Sequence, residues 1–277
     1  VNIEEALKDQ LTDTEEYDRE KTRLTKEKEE LKTKRQELYL ERDNASENLQ
    51  KLKQDLNGAQ SRLKVLEELK RDFEGFNHAV RNLLTKSQQD LEIKSHISGV
   101  LAQLISVPQK FEVAIEAALG SAMQNIVTPT EEDAKALIEY LRRHDLGRAT
   151  FLPISAVKGR TLEGNEGDVI KMQGSFGLAS DLITYDGIYS EVVKSLLGRT
   201  VIVDDLDTGI AIQRKSGHAF KVVTLRCDVM NTGGSMSGGS RNNAGGLFAR
   251  ANEIVELETT IKDLTIKVEE LEKKYSS

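Results

Sequence analysis

Gly233-Gly234-Ser235-Met236-Ser237-Gly238-Gly239-Ser240 places four of the chain's 20 glycines in eight residues, shortly after the apolar run Val222-Val223-Thr224-Leu225. Glycine costs ordering entropy and is placed where a backbone takes positive φ or lies against another backbone. Two glycine pairs around Ser235-Met236-Ser237 therefore read as a sheet edge stripped of side chains. A phosphate-cradling loop needs a lysine in G-x-x-x-x-G-K-[ST], and here that position is Gly239. A nucleophile elbow needs G-x-S-x-G, and the window starting at Gly233 ends in Ser237. The stretch is read as a close-packed protein interface, against the plainer alternative of a turn that only closes a sheet.

Around this stretch the middle of the chain alternates strands and helices. Gly99–Ile105 reads as a buried strand, Phe111–Leu119 as an Ala-rich helix and Asn125–Val127 as a short strand. Thr128-Pro129-Thr130-Glu131 then opens a helix, with Thr128 as its cap and Glu131 closing a capping box. Ala134, Leu137, Ile138 and Leu141 face inward along it, and Gly147 stops it. The pattern recurs after a glycine-bearing loop at 156–175: helix 190–197, strand 200–203, helix 207–215, strand 221–225. Such alternation predicts α/β layering in two halves.

Outward again, the punctuation stops. All three prolines, Pro108, Pro129 and Pro153, lie in the middle, only Gly58 and Gly75 precede Gly99, and no glycine follows Gly246. The N-terminal end carries a seven-residue ladder: Tyr17, Leu24, Leu31, Leu38, Ala45, Leu52, Ala59, Leu66, Phe73. Leu49, Leu56 and Leu63 add the second seam position, whereas upstream that position holds Lys21, Lys28, Arg35 and Arg42. At the C-terminal end Ile254, Leu257, Ile261, Leu264, Val268, Leu271 and Tyr275 alternate without a miss. Both are coiled-coil seams. The matched strong stretches predict an antiparallel coil within one chain, in preference to a parallel coil between two. Residues 1–45 are expected to lack a partner in the same chain, because the returning arm is shorter. The first residue is Val1, which fits a piece of something longer.

Composition narrows the function classes. Net charge is −7, divided −3, −1 and −3 over residues 1–90, 91–250 and 251–277, so no region is strongly basic. Any nucleic-acid contact must be a local patch. Cys227 is the single cysteine, so no internal disulfide and no paired-cysteine metal hook can form. His78, His96, His144 and His218 have no ligand spacing. Asp204, Asp205 and Asp207 read as helix-capping charge and not as a metal site. No apolar run is long enough to span a membrane.

Three segments carry a family resemblance: Phe111-Glu112-Val113-Ala114-Ile115-Glu116-Ala117-Ala118-Leu119-Gly120, Gly147-Arg148-Ala149-Thr150-Phe151-Leu152-Pro153, and the run from Asp228 to Gly239. With a coil on each side, the chain resembles the hinge of bacterial SMC (structural maintenance of chromosomes) ATPases. The resemblance implies an α/β (mixed α+β) two-subdomain hinge flanked by an antiparallel intramolecular coiled coil. The expected divisions are 1–73 (N-terminal arm), 74–158 and 159–249 (hinge subdomains), and 250–277 (C-terminal arm). It implies homodimerisation that joins two arms into a V or ring, with Gly233, Gly234, Ser235, Met236, Ser237, Gly238 and Gly239 at the interface. A weak, salt-sensitive DNA contact would use Lys94, Arg241 and Arg250. The alternative is a nucleic-acid-binding module whose oligomerisation is incidental. ATP, Mg and kleisin-type accessory proteins belong to head domains absent from this sequence, so no cofactor, catalytic residue or turnover is expected here. The implied location is cytoplasmic and nucleoid-associated, with no membrane partner.

Overall fold

The computed structural model describes residues 3–163, 167, 170–239 and 246–275. Contacts divide the chain into two compact units, Val1–Ser61 with Glu258–Ser277, and Arg62–Leu257.

The first unit contains the outer parts of two long helices, α1 (Ile3–Arg71) and the last helix, Leu247–Tyr275. Lys53 meets Glu272 at 2.6 Å in this unit, and Arg62 meets Glu253 at 2.7 Å in the other, so partner numbers fall as those of α1 rise. That is antiparallel pairing. Ala45 and Val268 are buried, and Leu49, Leu52, Leu56 and Ala59 are half-buried. Upstream, Tyr17, Leu24, Leu31 and Leu38 are 52–77 % exposed. The ladder is therefore covered only from Ala45 onward, as the unequal seam lengths predict. Its last rung is different. α1 ends at Arg71, and Phe73 sits at φ +53° in the turn that follows, its ring edge-on to Phe76.

Among the described residues the second unit holds three sheets. β1 (Gly99–Val100), β3 (Ile126–Thr128) and β4 (Phe151–Pro153) form one in the order β1-β3-β4, with β3 and β4 parallel. β2 (Ile105–Ser106) pairs with β6 (Thr184–Tyr185). The largest has the order β10-β9-β8-β7-β5. Its strands are β5 (Ser175–Leu178), β7 (Thr200–Val203), β8 (Lys221–Thr224), β9 (Val229–Met230) and β10 (Met236–Ser237). β7 and β8 are parallel, joined through α8 (Leu206–Lys215), and β3 and β4 are joined the same way through α6 (Glu131–Arg143). Parallel neighbours need such a crossover, so the recurrence read along the sequence is a repeated β-α-β unit.

Strand periodicity sorts the core. On β7 and β8, Ile202 and Val223 face a cluster containing Ile115 and Leu197, whereas Val201, Val203 and Val222 face Ile212, Phe220 and Met230. Both faces are covered, which is why these strands read as unbroken apolar runs.

Three local readings are corrected. Gly99–Ile105 is not one strand: the single turn α4 (Leu101–Leu104) separates β1 from β2. The chain changes sheets there, and a side chain at Gly99 would collide with Leu104, 2.7 Å away. The cap of α6 is Thr130, not Thr128, because Thr128 is held in β3 opposite Pro153. Thr130 Oγ1 accepts from the Asp133 amide (3.2 Å), while Asp133 Oδ2 accepts from the Thr130 amide (2.9 Å). Ile138, finally, does not face inward and is 41 % exposed.

This cap yields a pH-dependent prediction. Bonding to His96, then to Thr130, holds the Asp133 carboxyl below the usual carboxylate range. A depressed carboxyl contributes stability that is present above its unfolded pKa and lost as pH falls through its folded one. Thr130→Ala should cost about 1 kcal/mol at pH 7. The penalty of Asp133→Asn should be present in urea unfolding at pH 7 and shrink by pH 3. An equal penalty at both pH values would mean that the charge contributes nothing.

Candidate functional site

Thr224, Asp228, His218 and Asn231 build the platform on which the glycine stretch rests. Asp228 accepts from Thr224 Oγ1 (2.9 Å) and closes the turn from β8 to β9, with Cys227 at φ +74°. Beyond β9 the Gly234 amide donates to the Asn231 carbonyl (3.0 Å) and the Gly233 amide to the His218 carbonyl (3.2 Å). Gly233 and Gly234 take φ +86° and +93°, which L side chains rarely adopt. Gly238 serves a different need: a Cβ there would stand 2.3 Å from Asp228 Oδ1. The turn reading thus accounts locally for three glycines. Gly239, at φ +134°, has no neighbour within 4 Å of an added Cβ.

The hairpin leaves an open strand. Met236 lies opposite Met230 and Ser237 opposite Val229. The Asn231 amide donates to the Ser235 carbonyl (2.8 Å), which makes 231/235 a hydrogen-bonded pair. In an antiparallel ladder the pairs alternate, so the Met236 N–H and C=O point away from β9 toward the uncovered edge. The Met236 side chain shares a face with Met230. Met230 is 2 % exposed in the core beside Ile212 and Phe220, whereas Met236 is 52 % exposed. Residues 232–239 are all exposed. Among the described residues no further strand pairs with this edge, which offers free backbone groups and one adaptable apolar side chain, the combination that accepts a further strand.

A second open edge was not legible in the sequence. β4 ends the three-stranded sheet, and a surface groove beside it is lined by Ala134, Ile138, Ala149, Phe151 and Pro153, with Arg142 among the polar residues beside them. The signal available was Pro153 closing an apolar run, since proline is confined to sheet edges, strand starts and bulges.

The other flagged residues fall elsewhere. Asp205 accepts from the Thr208 amide (2.8 Å) as the cap of α8, and that bond, before any other cause, lowers its carboxyl pKa. Asp204 accepts from the Asp205 amide (2.8 Å). His96 pairs with Asp133, and the His144 ring lies tilted against Tyr140, with centroids 4.4 Å apart. Among the described residues no group of three His, Cys, Asp or Glu side chains could hold a metal, and no helix is long and apolar enough to cross a membrane. Lys94 is exposed on a short helix, Leu91–Ser95. Arg250 donates to the Glu74 carbonyl (2.9 Å) at the base of the last helix. Ser240 and Arg241 lie outside the described residues.

The family model for the flexible hinge domain of SMC proteins matches residues 94–213. The chain is 37 % identical over 227 residues to the chromosome partition protein Smc of Desulfitobacterium hafniense, covering 82 % of this chain and 19 % of that protein. It is 38 % identical over 220 residues to Smc of Bacillus subtilis, covering 78 % and 18 %. The chain thus spans about a fifth of the length of these curated relatives. Among solved structures, an asymmetric dimer of the Geobacillus stearothermophilus SMC hinge domain superposes with a TM-score of 0.75 at 33 % identity, covering 84 % of this chain and 92 % of that one.

Proposed function

The chain belongs to the SMC hinge family, and from that premise we propose that it is a homodimerisation module joining two coiled-coil arms of a chromosome-partitioning protein. One observation carries this reading: the open strand Met236–Ser237, whose exposed Met236 continues the apolar face of Met230 beyond the last paired strand. The similar Geobacillus structure is described as a dimer, which supports the same reading. The open edge at β4, with Ile138 and Phe151, is the counterpart surface. A twofold axis would present each edge to the other subunit's opposite edge, so every contact occurs twice. A subdomain division near 158/159 is part of this reading; the three-stranded sheet from residues 99–153 and the five-stranded one from 175–237 support it, while the β2–β6 pair crosses it.

ATP turnover, accessory subunits and a place on the nucleoid are assigned to the longer protein, and this stretch is given no catalytic role. A DNA contact, the weaker partner function, would start at exposed Lys94, since Arg250 is committed to Glu74. Light scattering tests the main reading. The expected mass is twice 30.9 kDa at micromolar concentration, and a mass of one chain at all concentrations would overturn it.

A further inference from the structure

The last helix, α9 (Leu247–Tyr275), is preceded by Gly246, which has no side chain to cap it. The cap comes from elsewhere in the fold. Glu116, on α5 (Glu112–Leu119), accepts at Oε1 from the Phe248 amide (3.2 Å), and an added Cβ at Gly246 would lie 2.2 Å from that same oxygen. One turn earlier on α5, Glu112 accepts from Asn252 Nδ2, which also donates to the Val107 carbonyl (2.7 Å). Both glutamates are buried, at 8 % and 7 % exposure, on a helix whose other inward residues are Ala114, Ile115, Ala118 and Leu119. Buried carboxylates are costly unless hydrogen-bonded, and a carboxylate at a helix N-terminus meets both the orphan amides and the positive end of the helix dipole.

The opposite side of the same two turns is clasped as well. Arg250 donates to the Glu74 carbonyl, and Arg62 grips Glu253 with Nε–Oε1 at 2.7 Å and Nη2–Oε2 at 3.0 Å. These contacts are polar, directional and made to residues 62–116, none of them in the glycine stretch.

We propose that Glu112 and Glu116 are positioning residues that seat the start of the C-terminal arm on the hinge body, independently of the glycine-rich edge. The arm and the dimer edge are then separate devices on one sheet-and-helix frame, and each can be broken while the other holds. Gly246 leaves room for the Glu116 carboxylate, which a Cβ at that position would force to shift.

Backbone hydrogen exchange of the full chain tests this in Glu116→Leu, Asn252→Asp and Met236→Lys variants, with mass measured alongside. Glu116→Leu removes the acceptor, and Asn252→Asp sets a second carboxylate against Glu112. Both should raise exchange of the Phe248–Glu253 amides about tenfold or more, leave the β7 amides protected, and keep the mass of the unmodified chain. Met236→Lys should leave the Phe248–Glu253 amides as they were. Unchanged exchange in a folded Glu116→Leu chain overturns the proposal, as does equal loosening in Met236→Lys, which would make the edge the anchor. If Glu116→Leu does not fold, Asn252→Asp carries the decision. An unmodified chain that is monomeric would refute dimerisation, while the exchange comparison still reads the anchor within one chain.

Discussion

A Met236→Lys chain is expected to remain folded but to run as a monomer at concentrations where the unmodified chain is a dimer. Met236 is 52 % exposed and makes no part of the buried core, so lysine there should change the stability of one chain by no more than about 0.5 kcal/mol. In the proposed dimer the partner would cover the same side chain. Burying a methionine is worth about 1.5–3 kcal/mol, and an ammonium in its place must also be desolvated. Only about half of the Met236 side chain is left to bury, and twofold symmetry counts the loss twice, so about 1.5–3 kcal/mol is at stake, or a rise in dissociation constant of roughly 10–10²-fold before the ammonium is counted. Sedimentation equilibrium across a concentration series reads this directly. A Met236→Lys dimer as tight as the unmodified one would place the contact away from β10. The neighbouring glycines make a poorer test. At Gly233 and Gly234 a side chain strains the turn, and at Gly238 it meets Asp228, so a lost dimer would not distinguish contact from hairpin.

Phe220→Ala should produce the largest loss of stability of any single change argued for this chain. The ring is fully buried among Leu178, Val201, Val203, Ile212, Val222 and Met230, and the Phe220 carbonyl accepts from Gln213 Nε2 at 2.7 Å. Truncating a buried phenylalanine costs about 3–5 kcal/mol, because transfer energy is lost and a cavity remains. For a unit of this size that lowers the melting temperature by about 10 °C. The damage reaches the proposed interface, since Met230 belongs to the same cluster and lies opposite Met236. Ile188→Ala, at a position 59 % exposed, is the control and should stay within about 0.5 kcal/mol. A loss below about 1 kcal/mol for Phe220→Ala would mean that the cavity collapses without penalty.

The long elements and the strongest site signal were legible in the amino-acid order. The heptad seams gave two helices and the point, near Ala45, at which the covered seam begins, because apolar seven-residue positions are buried only where the opposing helix reaches them: Leu24, Leu31 and Leu38 stay exposed. Helix 190–197 and strand 200–203 were read at their observed bounds, their apolar residues being periodic and their ends marked by Gly198 and Asp204. The glycine pairs pointed to an edge, and β10 does end its sheet, while the turn itself accounts for Gly233, Gly234 and Gly238.

Tertiary structure decided the rest, wherever two local readings were equally good and a distant partner chose between them. Thr128 and Thr130 are both competent caps; Thr128 is taken into β3 by β4, so Thr130 caps. Ile138 fits the inward stripe of α6, yet β4 ends its sheet and leaves that side of the helix open. Val100 and Ile105 belong to one apolar run, but pair with strands of different sheets. Glu112 and Glu116 carry no sign in the sequence that they meet Asn252 and Phe248, more than 130 residues later. Local patterns record what a segment can do with itself. Which of its groups are left uncovered, and which buried charges find a partner, is fixed only when remote segments compete for the same contacts.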